Sequence, residues 1–282
     1  MYIKQLVSGA GAAFVMAIGM PLSALAASNT VTVTQQNQQG WSTADTRPGG
    51  AVNFIKDTTS PAPNGALQLT TDATVTSKAQ YLHATNTPLS GITSLSYYTK
   101  QVSALFAQAD PSYQLPVLLN GSTGFTTLVF EPYQGATDGQ KVLPTVWQNW
   151  NVASGLFYST RSVTCSNGSV AAGAGGPAVY TLPQIKAACP NAVVFGFGVN
   201  IGSNNPSYNV ETDLVNFNGT TYDFQFTKVP TNKDQCIKDG YLNYTDASAV
   251  TFENQGSCVS YVNNTSSTDP EFVFSTVTVE VD

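Results

Sequence analysis

Short β-favouring runs separated by turn residues are the feature that most constrains the fold of this chain. Between residues 28 and 226, stretches rich in Val, Thr, Tyr and Phe alternate with turns rich in Gly, Pro, Asn and Asp. About a dozen such runs are typical of two packed antiparallel sheets. The sequence therefore predicts an all-β, jelly-roll-like two-sheet β-sandwich with strands at 31–34, 51–56, 65–70, 79–83, 94–101, 115–119, 126–131, 147–151, 156–160, 193–200, 213–218 and 221–226.

Alternation with a period of two identifies the face of each strand that points into the sandwich, because residues two apart share a face. The apolar core candidates found in this way are Val52 with Phe54, Leu67 with Leu69, Leu128 with Phe130, and the series Val193, Phe195, Phe197 and Val199. On the other face of that series, Gly196 and Gly198 leave the strand without side chains. This pattern predicts the floor of a ligand groove or, alternatively, a face that admits a covering loop or a bulge.

One short helix is predicted from 182 to 188. Thr181 is a suitable N-cap, Pro183 lies in the first turn, and Pro190 follows the end of the helix. The cysteine directly after this helix, Cys189, is placed to close the Gly-rich loop before it by pairing with Cys165.

The four cysteines fall into two pairs, 24 and 22 residues apart in sequence. Sequential pairing, Cys165 with Cys189 and Cys236 with Cys258, is the simplest of the three connectivities. A metal site is the weaker alternative, because the chain has no CxxC motif and a single histidine, His83.

The first 26 residues have the layout of a secretory signal peptide. Lys4 is followed by an apolar run from 10 to 20 and a small-residue stretch that ends at Ala26, the predicted cleavage site. A retained membrane anchor is the alternative, but the run is shorter than the roughly 20 residues that span a bilayer. We therefore expect a secreted protein, extracellular or on the cell surface, without membrane insertion.

After the signal peptide, the composition predicts a β-sandwich domain at 27–227 and a small two-cysteine C-terminal module at 228–282. Within this module, the alternating run at 272–281 predicts a further strand. Charged residues make up 10% of the chain, and 17 Asp+Glu exceed 11 Lys+Arg. No basic cluster is present, which argues against nucleic acid or an anionic membrane as partner.

A ligand site is predicted around Trp147 and Trp150. In a regular strand these rings, three residues apart, point to opposite faces, so one can be core while the other stacks on a sugar ring. Gln148 and Asn149 offer amides for sugar hydroxyls. Tyr158 completes the candidate set together with Asn200, which lies on the same strand face as Gly196 and Gly198. The alternative is that both Trp rings are buried.

Catalytic and metal-binding candidates are few. Glu131, Glu211 and Asp213 are the carboxylates considered for a glycosidase pair, although no sequence feature shows that they meet. His83 has no nucleophile elbow nearby and is predicted to be structural. Glu211 and Asp213 could bind calcium, but the sequence around them lacks the spacing of a calcium-binding loop. No cofactor and no metal are therefore expected.

The order of segments 65–70, 95–97, 126–132, 147–150, 195–200, 215–217 and 222–224 resembles secreted bacterial proteins, mostly of unknown function, whose jelly-roll domain is similar to carbohydrate-binding modules. The C-terminal segments KDQCIKDGY (233–241) and FENQGSCVSY (252–261) resemble a two-cysteine motif of secreted bacterial proteins, KDQCKxGGW…FxNQGxCV, and depart from it at Asp239 and Tyr241. The resemblance implies a non-catalytic protein that binds a polysaccharide or surface glycan. An extracellular structural or adhesive protein with protein partners and a polysaccharide-acting enzyme are the alternatives.

Overall fold

The computed structural model describes residues 29–173 and 176–266. The predicted signal peptide at 1–26 and the predicted strand at 272–281 lie outside these residues. The strands are β1 (Asn29–Val33), β2 (Trp41–Ser42), β3 (Gly50–Ile55), β4 (Ala66–Thr71), β5 (Ala79–Pro88), β6 (Leu95–Ser103), β7 (Ser112–Leu118), β8 (Phe125–Phe130), β9 (Gln148–Asn151), β10 (Leu156–Ser159), β11 (Val163–Cys165), β12 (Gly168–Val170), β13 (Tyr180–Thr181), β14 (Val193–Ile201), β15 (Asn209–Phe217) and β16 (Thr220–Phe224). The helices are α1 (Pro132–Gly135), α2 (Leu182–Ala188) and α3 (Gln255–Ser266).

Two seven-stranded sheets form a jelly-roll-like sandwich, as the sequence predicts. In the first sheet, β15 pairs with β6 on one side and with β4 and β16 on the other, while β9, β3 and β1 flank them. The second sheet has the order β13-β10-β8-β7-β14-β5-β2. Each of the twelve strands predicted between residues 31 and 226 overlaps an observed strand, whereas the short strands β2, β11, β12 and β13 were not predicted.

The core lies between the inner faces of the two sheets. Leu67, Leu69, Leu128 and Phe130 are all buried there, which confirms these core candidates. Large aromatic rings fill much of the remaining space, including Tyr81, Tyr97, Tyr113, Trp150, Phe157 and Phe197. Burial of so many large apolar side chains is the main stabilising contribution expected for a sandwich of this size.

The assignment of Phe195 to the core is wrong. A bulge in β14 shifts the pairing with β5 between Val194 and Gly196, so Val194 is buried and Phe195 is 38% exposed. Gly198 has φ of +155°, and a Cβ at this position would lie 2.2 Å from the carbonyl oxygen of Tyr81. Glycine is therefore required at position 198 by close backbone approach, whereas a Cβ at Gly196 would make ordinary contacts of 3.5 Å.

The predicted helix α2 has the predicted bounds. Thr181 is its N-cap and forms a capping box with Gln184, which satisfies two backbone N–H groups at the helix start. The first disulfide joins Cys165 at the end of β11 to Cys189 directly after α2, as predicted.

The C-terminal segment contains the second predicted disulfide, Cys236–Cys258. It also contains the twelve-residue helix α3, which the sequence did not predict. Cys236, Cys258 and Val262 form a small buried cluster of their own. The segment is held on the sandwich by a hydrogen bond from the Thr34 hydroxyl to the carbonyl of Ala247 (2.7 Å). Among the described residues, no helix has the length and apolarity needed to cross a bilayer.

Candidate functional site

The six predicted site residues do not form one site in the structure. Along β9, Gln148 and Trp150 point into the protein while Asn149 faces solvent. Trp150 is 1% exposed, and its indole N–H donates a hydrogen bond to the hydroxyl of Thr99 (2.7 Å). Trp150 is therefore a core residue and not a platform for a ligand.

Gln148 is also buried, with its amide group occupied by the neighbouring loop. Its amide oxygen accepts from the backbone N–H of Leu143 (2.6 Å), and its amide nitrogen donates to the carbonyl of Lys141 (2.8 Å). Both polar groups of the side chain thus hold the loop that leads into β9.

Trp147 lies half-buried at the outer face of the first sheet, above an ion-pair network. Its indole N–H is 3.3 Å from Oδ2 of Asp57, and the ammonium of Lys100 lies 5.0 Å from the ring centroid. Lys100 pairs with both Asp57 and Glu211. Burial alone would raise the pKa of Asp57, but hydrogen bonds from Lys100 and Thr59 hold that pKa well below its usual range. Asn149, two residues after Trp147, is exposed, and its amide is not part of this network.

Tyr158 and Asn200 belong to the second sheet. The Tyr158 hydroxyl donates to Oε1 of Glu131 (3.2 Å), and the Asn200 amide donates to Oε1 of Gln80 (3.0 Å). Both side chains are buried, and Asn200 and Glu131 line the same pocket. Of the six predicted residues, Trp147 and Asn149 therefore lie on the outer face of the first sheet, and Gln148 and Trp150 are buried. Asn200 lines the pocket of the second sheet, and Tyr158 contacts the pocket residue Glu131.

This pocket, which we call the Asp110 pocket, lies where β7 begins and where β8 and β14 end. It encloses about 140 Å³. Phe106 (53% exposed) and Tyr133 (43% exposed) are its exposed aromatic side chains. The polar residues that line it are Gln108, Asp110, Ser112, Glu131, Asn200, Asn205 and Tyr208. It thus combines carboxyl, amide and hydroxyl groups with exposed aromatic rings in one concave site.

Asp110 is the unusual member of this pocket. The side chain is 7% exposed, Oδ2 accepts from the hydroxyl of Thr99, and Oδ1 has no hydrogen-bond partner within the described part of the chain. Burial raises the pKa of Asp110 to about 8, because the charged form loses its hydration. Asp110 is therefore mostly protonated at neutral pH and can donate a hydrogen bond as well as accept one.

Glu131 is held by neighbours on both of its carboxyl oxygens. Oε1 accepts from Tyr158, and Oε2 accepts from the amide of Gln134, the residue that also anchors the backbone N–H of Ala178 (3.0 Å). Burial and the charge of Glu131 together raise the pKa of Tyr133 to about 12. Tyr133 therefore keeps its hydroxyl proton over the whole neutral range.

The other carboxylates predicted as candidates have structural partners. Glu211 pairs with Lys100, while Oδ1 of Asp213 accepts from the backbone N–H groups of Leu214 (2.8 Å) and Phe224 (3.0 Å). His83 contacts the Gln39 carbonyl (3.0 Å) and stacks on Phe197. Over residues 29–173 and 176–266, no group of three or more His, Cys, Asp or Glu side chains could hold a metal ion.

Comparison with known proteins adds to the description of the fold. No family model matches the sequence, and no curated protein matches it significantly. A family 11 carbohydrate-binding module from Clostridium thermocellum, solved with a β-1,3-1,4-mixed-linked tetrasaccharide, is 10% identical over 64% of this chain and 90% of its own, with a TM-score of 0.38. The xylan-binding domain CBM22-1 from Paenibacillus barcinonensis is 12% identical over 64% of this chain and 85% of its own, with a TM-score of 0.28.

A third similar structure belongs to an enzyme. A β-1,2-glucanase from Parabacteroides distasonis is 12% identical over 63% of this chain, which corresponds to 23% of that chain, with a TM-score of 0.33. Structural neighbours of this chain thus include carbohydrate-binding modules.

Proposed function

We propose that the protein binds carbohydrate, and that the Asp110 pocket receives a single sugar unit or the end of a saccharide chain. The observation that carries this proposal is the buried carboxyl of Asp110, whose Oδ1 has no partner among the described residues while the group lines a pocket. A protonated carboxyl with one uncommitted oxygen suits a hydroxyl, because a hydroxyl both donates and accepts. A ligand hydroxyl at Oδ1 would satisfy this buried polar atom.

The rest of the pocket supports a sugar ligand. Asn205 and Gln108 provide amides, and the exposed rings of Phe106 and Tyr133 provide apolar faces against which the C–H groups of a sugar ring can pack. A cavity of about 140 Å³ is smaller than the roughly 300–1,000 Å³ of pockets that enclose whole drug-sized ligands. This size favours one sugar unit over an extended chain segment.

A polysaccharide-acting enzyme is the second candidate, because Asp110 and Glu131 line the same pocket and glycosidases act with two carboxyl groups. Binding without hydrolysis is the better supported of the two. Each oxygen of Glu131 already accepts a hydrogen bond, one from Tyr158 and one from Gln134, so this side chain is tied to the protein at both oxygens.

A glycan array on the mature chain (residues 27–282), followed by calorimetry with the best ligand, tests the proposal. We expect Asp110→Ala and Tyr133→Ala each to weaken binding by about tenfold or more. Trp147→Ala, on the first sheet, is the matched control and should leave the affinity unchanged. The proposal is overturned if no saccharide binds, or if Trp147→Ala abolishes binding while Asp110→Ala does not. Release of reducing ends that is lost in Glu131→Gln would instead establish the enzyme.

We propose further that the protein acts outside the cytoplasm. The two disulfides and the described fold are consistent with an oxidising compartment. The predicted signal peptide and the resemblance of the C-terminal segment to a motif of secreted bacterial proteins support the same location. Expression in a bacterial host, followed by mass spectrometry of the exported protein, should give a chain that begins at Ala27, and an intracellular, full-length product would contradict export.

A further inference from the structure

A second cavity lies at the seam between the sandwich and the C-terminal segment and shares no lining residue with the Asp110 pocket. It encloses about 330 Å³. The sandwich contributes Lys56, just after β3, and Lys228 is the first residue of the predicted C-terminal module, after β16. The C-terminal segment contributes Leu242, Asn243 and Tyr244. We call this cavity the seam pocket.

Two hydrogen bonds between Lys228 and Thr245 fix the C-terminal segment at the seam pocket. The N–H of Thr245 donates to the carbonyl of Lys228 (3.1 Å), and the N–H of Lys228 donates to the hydroxyl of Thr245 (3.3 Å). The Thr34–Ala247 hydrogen bond holds the same segment against β1. The pocket is therefore built by docking of the C-terminal segment.

Both lysines of the seam pocket are exposed, and neither forms an ion pair with a carboxylate in the described ranges. The ion pairs there involve Lys78 and Lys100 only. The ammonium of Lys228 lies 4.7 Å from the centroid of the Tyr244 ring, which holds this charge at the pocket. In a protein of formal net charge −6, two uncompensated ammonium groups in one concave site form a local positive region. An anion in the pocket would be attracted by both groups.

We propose that the seam pocket binds the anionic substituent of an acidic saccharide, either a uronate carboxylate or a sulfate ester. The two ammonium groups recognise the negative charge, which carboxylate and sulfate share. Asn64 and Asn243 provide amides for sugar hydroxyls, and the apolar side chain of Leu242 is 68% exposed where a sugar ring would pack. This site is separate from the Asp110 pocket and goes beyond the function proposed for it.

Calorimetry at pH 7 and low ionic strength tests the proposal with four probes on the mature chain. The probes are an oligogalacturonate, a sulfated oligosaccharide, a neutral oligosaccharide of similar length, and poly-glutamate. We expect at least one acidic saccharide to bind, with an affinity that falls as salt is added, and we expect Lys56→Ala and Lys228→Ala each to weaken that binding by about tenfold. Whether the carboxylate or the sulfate probe binds more tightly identifies the preferred anion.

Lys233→Ala is the matched control, because it removes the same charge from an exposed position in the C-terminal segment. It should leave the affinity unchanged, and an equal loss in this variant would show nonspecific charge attraction and overturn the proposal. Equal binding of poly-glutamate would overturn the assignment to saccharides. Loss of binding in Asp110→Ala but not in Lys228→Ala would place the acidic ligand in the Asp110 pocket, which would overturn the seam pocket and leave the proposed function intact.

Discussion

Replacing Asp110 by Asn should make the stability of the protein less sensitive to alkaline pH. The buried carboxyl has its pKa raised from 3.8 to about 8, so the folded state favours the neutral form. Asn has nearly the same shape as a protonated Asp and can accept the hydrogen bond from Thr99 through its amide oxygen. The variant therefore imitates the protonated side chain at every pH.

The sign and size of the effect follow from the two pKa values. Between pH 3.8 and about 8 the folded state binds more protons at Asp110 than the unfolded state, so stability falls as the pH rises through this window. The slope is about 1.4 kcal/mol per pH unit, and the full difference corresponds to about 6 kcal/mol. Below pH 3.8 the group is protonated in both states and costs nothing. Between pH 5 and pH 8, the stability of Asp110→Asn relative to wild type should thus increase by about 4 kcal/mol.

Guanidinium chloride unfolding at pH 5, 6.5 and 8, followed by tryptophan fluorescence, measures this difference. Asp213 has a similarly raised pKa, so the wild type and the variant will both retain some pH dependence, and only their difference reports on Asp110. Asp234→Asn, which removes an exposed carboxyl, is the control for loss of one negative charge. A difference between Asp110→Asn and wild type that stays constant over this pH range would refute the reasoning.

Three further predictions concern the packing and are tested by the same unfolding assay. Replacing Cys165 and Cys189 together by Ser should cost about 3 kcal/mol, because the disulfide closes a loop of 24 residues in the unfolded chain; an unchanged midpoint would contradict this. Phe197→Ala should cost about 3–5 kcal/mol, whereas Phe195→Ala should cost less than about 1 kcal/mol, and equal losses would refute the bulge. Trp150→Phe should cost about 1–3 kcal/mol through the lost buried hydrogen bond, and a neutral result would place Trp150 outside the core.

Most of the sandwich could be predicted from sequence because alternation is a local signal with a clear physical cause. Leu67 with Leu69 and Leu128 with Phe130 point inwards in regular strands, and the structure confirms them. Phe195 has the same spacing but lies at a bulge, and a bulge depends on the pairing with neighbouring strands, which local alternation does not contain.

In helix α3, tertiary contacts override the local preference of the sequence. Its sequence, QGSCVSYVNNTS, is rich in Ser, Asn, Val and Thr, which are weak helix formers. The Cys236–Cys258 disulfide and the burial of Val262 fix the helix against the rest of the segment. A prediction from propensity alone therefore misses it.

Only part of the candidate site could be predicted from sequence, because contacts between distant segments decide which side chains are buried. Trp147 and Trp150 do lie on opposite faces, as their spacing predicts, with Trp150 in the core. Asp110 was not singled out, because it is one carboxyl in a loop before Pro111, and its burial arises from chain segments far away in sequence. Asn200 was singled out and does line the Asp110 pocket. Whether it contacts a ligand remains a prediction.

The buried carboxyl groups of this protein differ in how well the fold compensates them, and this difference singles out Asp110. Charged residues are scarce, at 10% of the chain, so each buried carboxyl calls for a physical reason. Glu211 is paired with Lys100, and Asp213 accepts from backbone N–H groups that tie β15 to β16. Asp110 has a single partner, the hydroxyl of Thr99, and one oxygen left unsatisfied in a pocket. A buried carboxyl with an unsatisfied oxygen lowers the stability of the fold unless a bound group forms a hydrogen bond with that oxygen. A ligand hydroxyl in the Asp110 pocket would form this hydrogen bond.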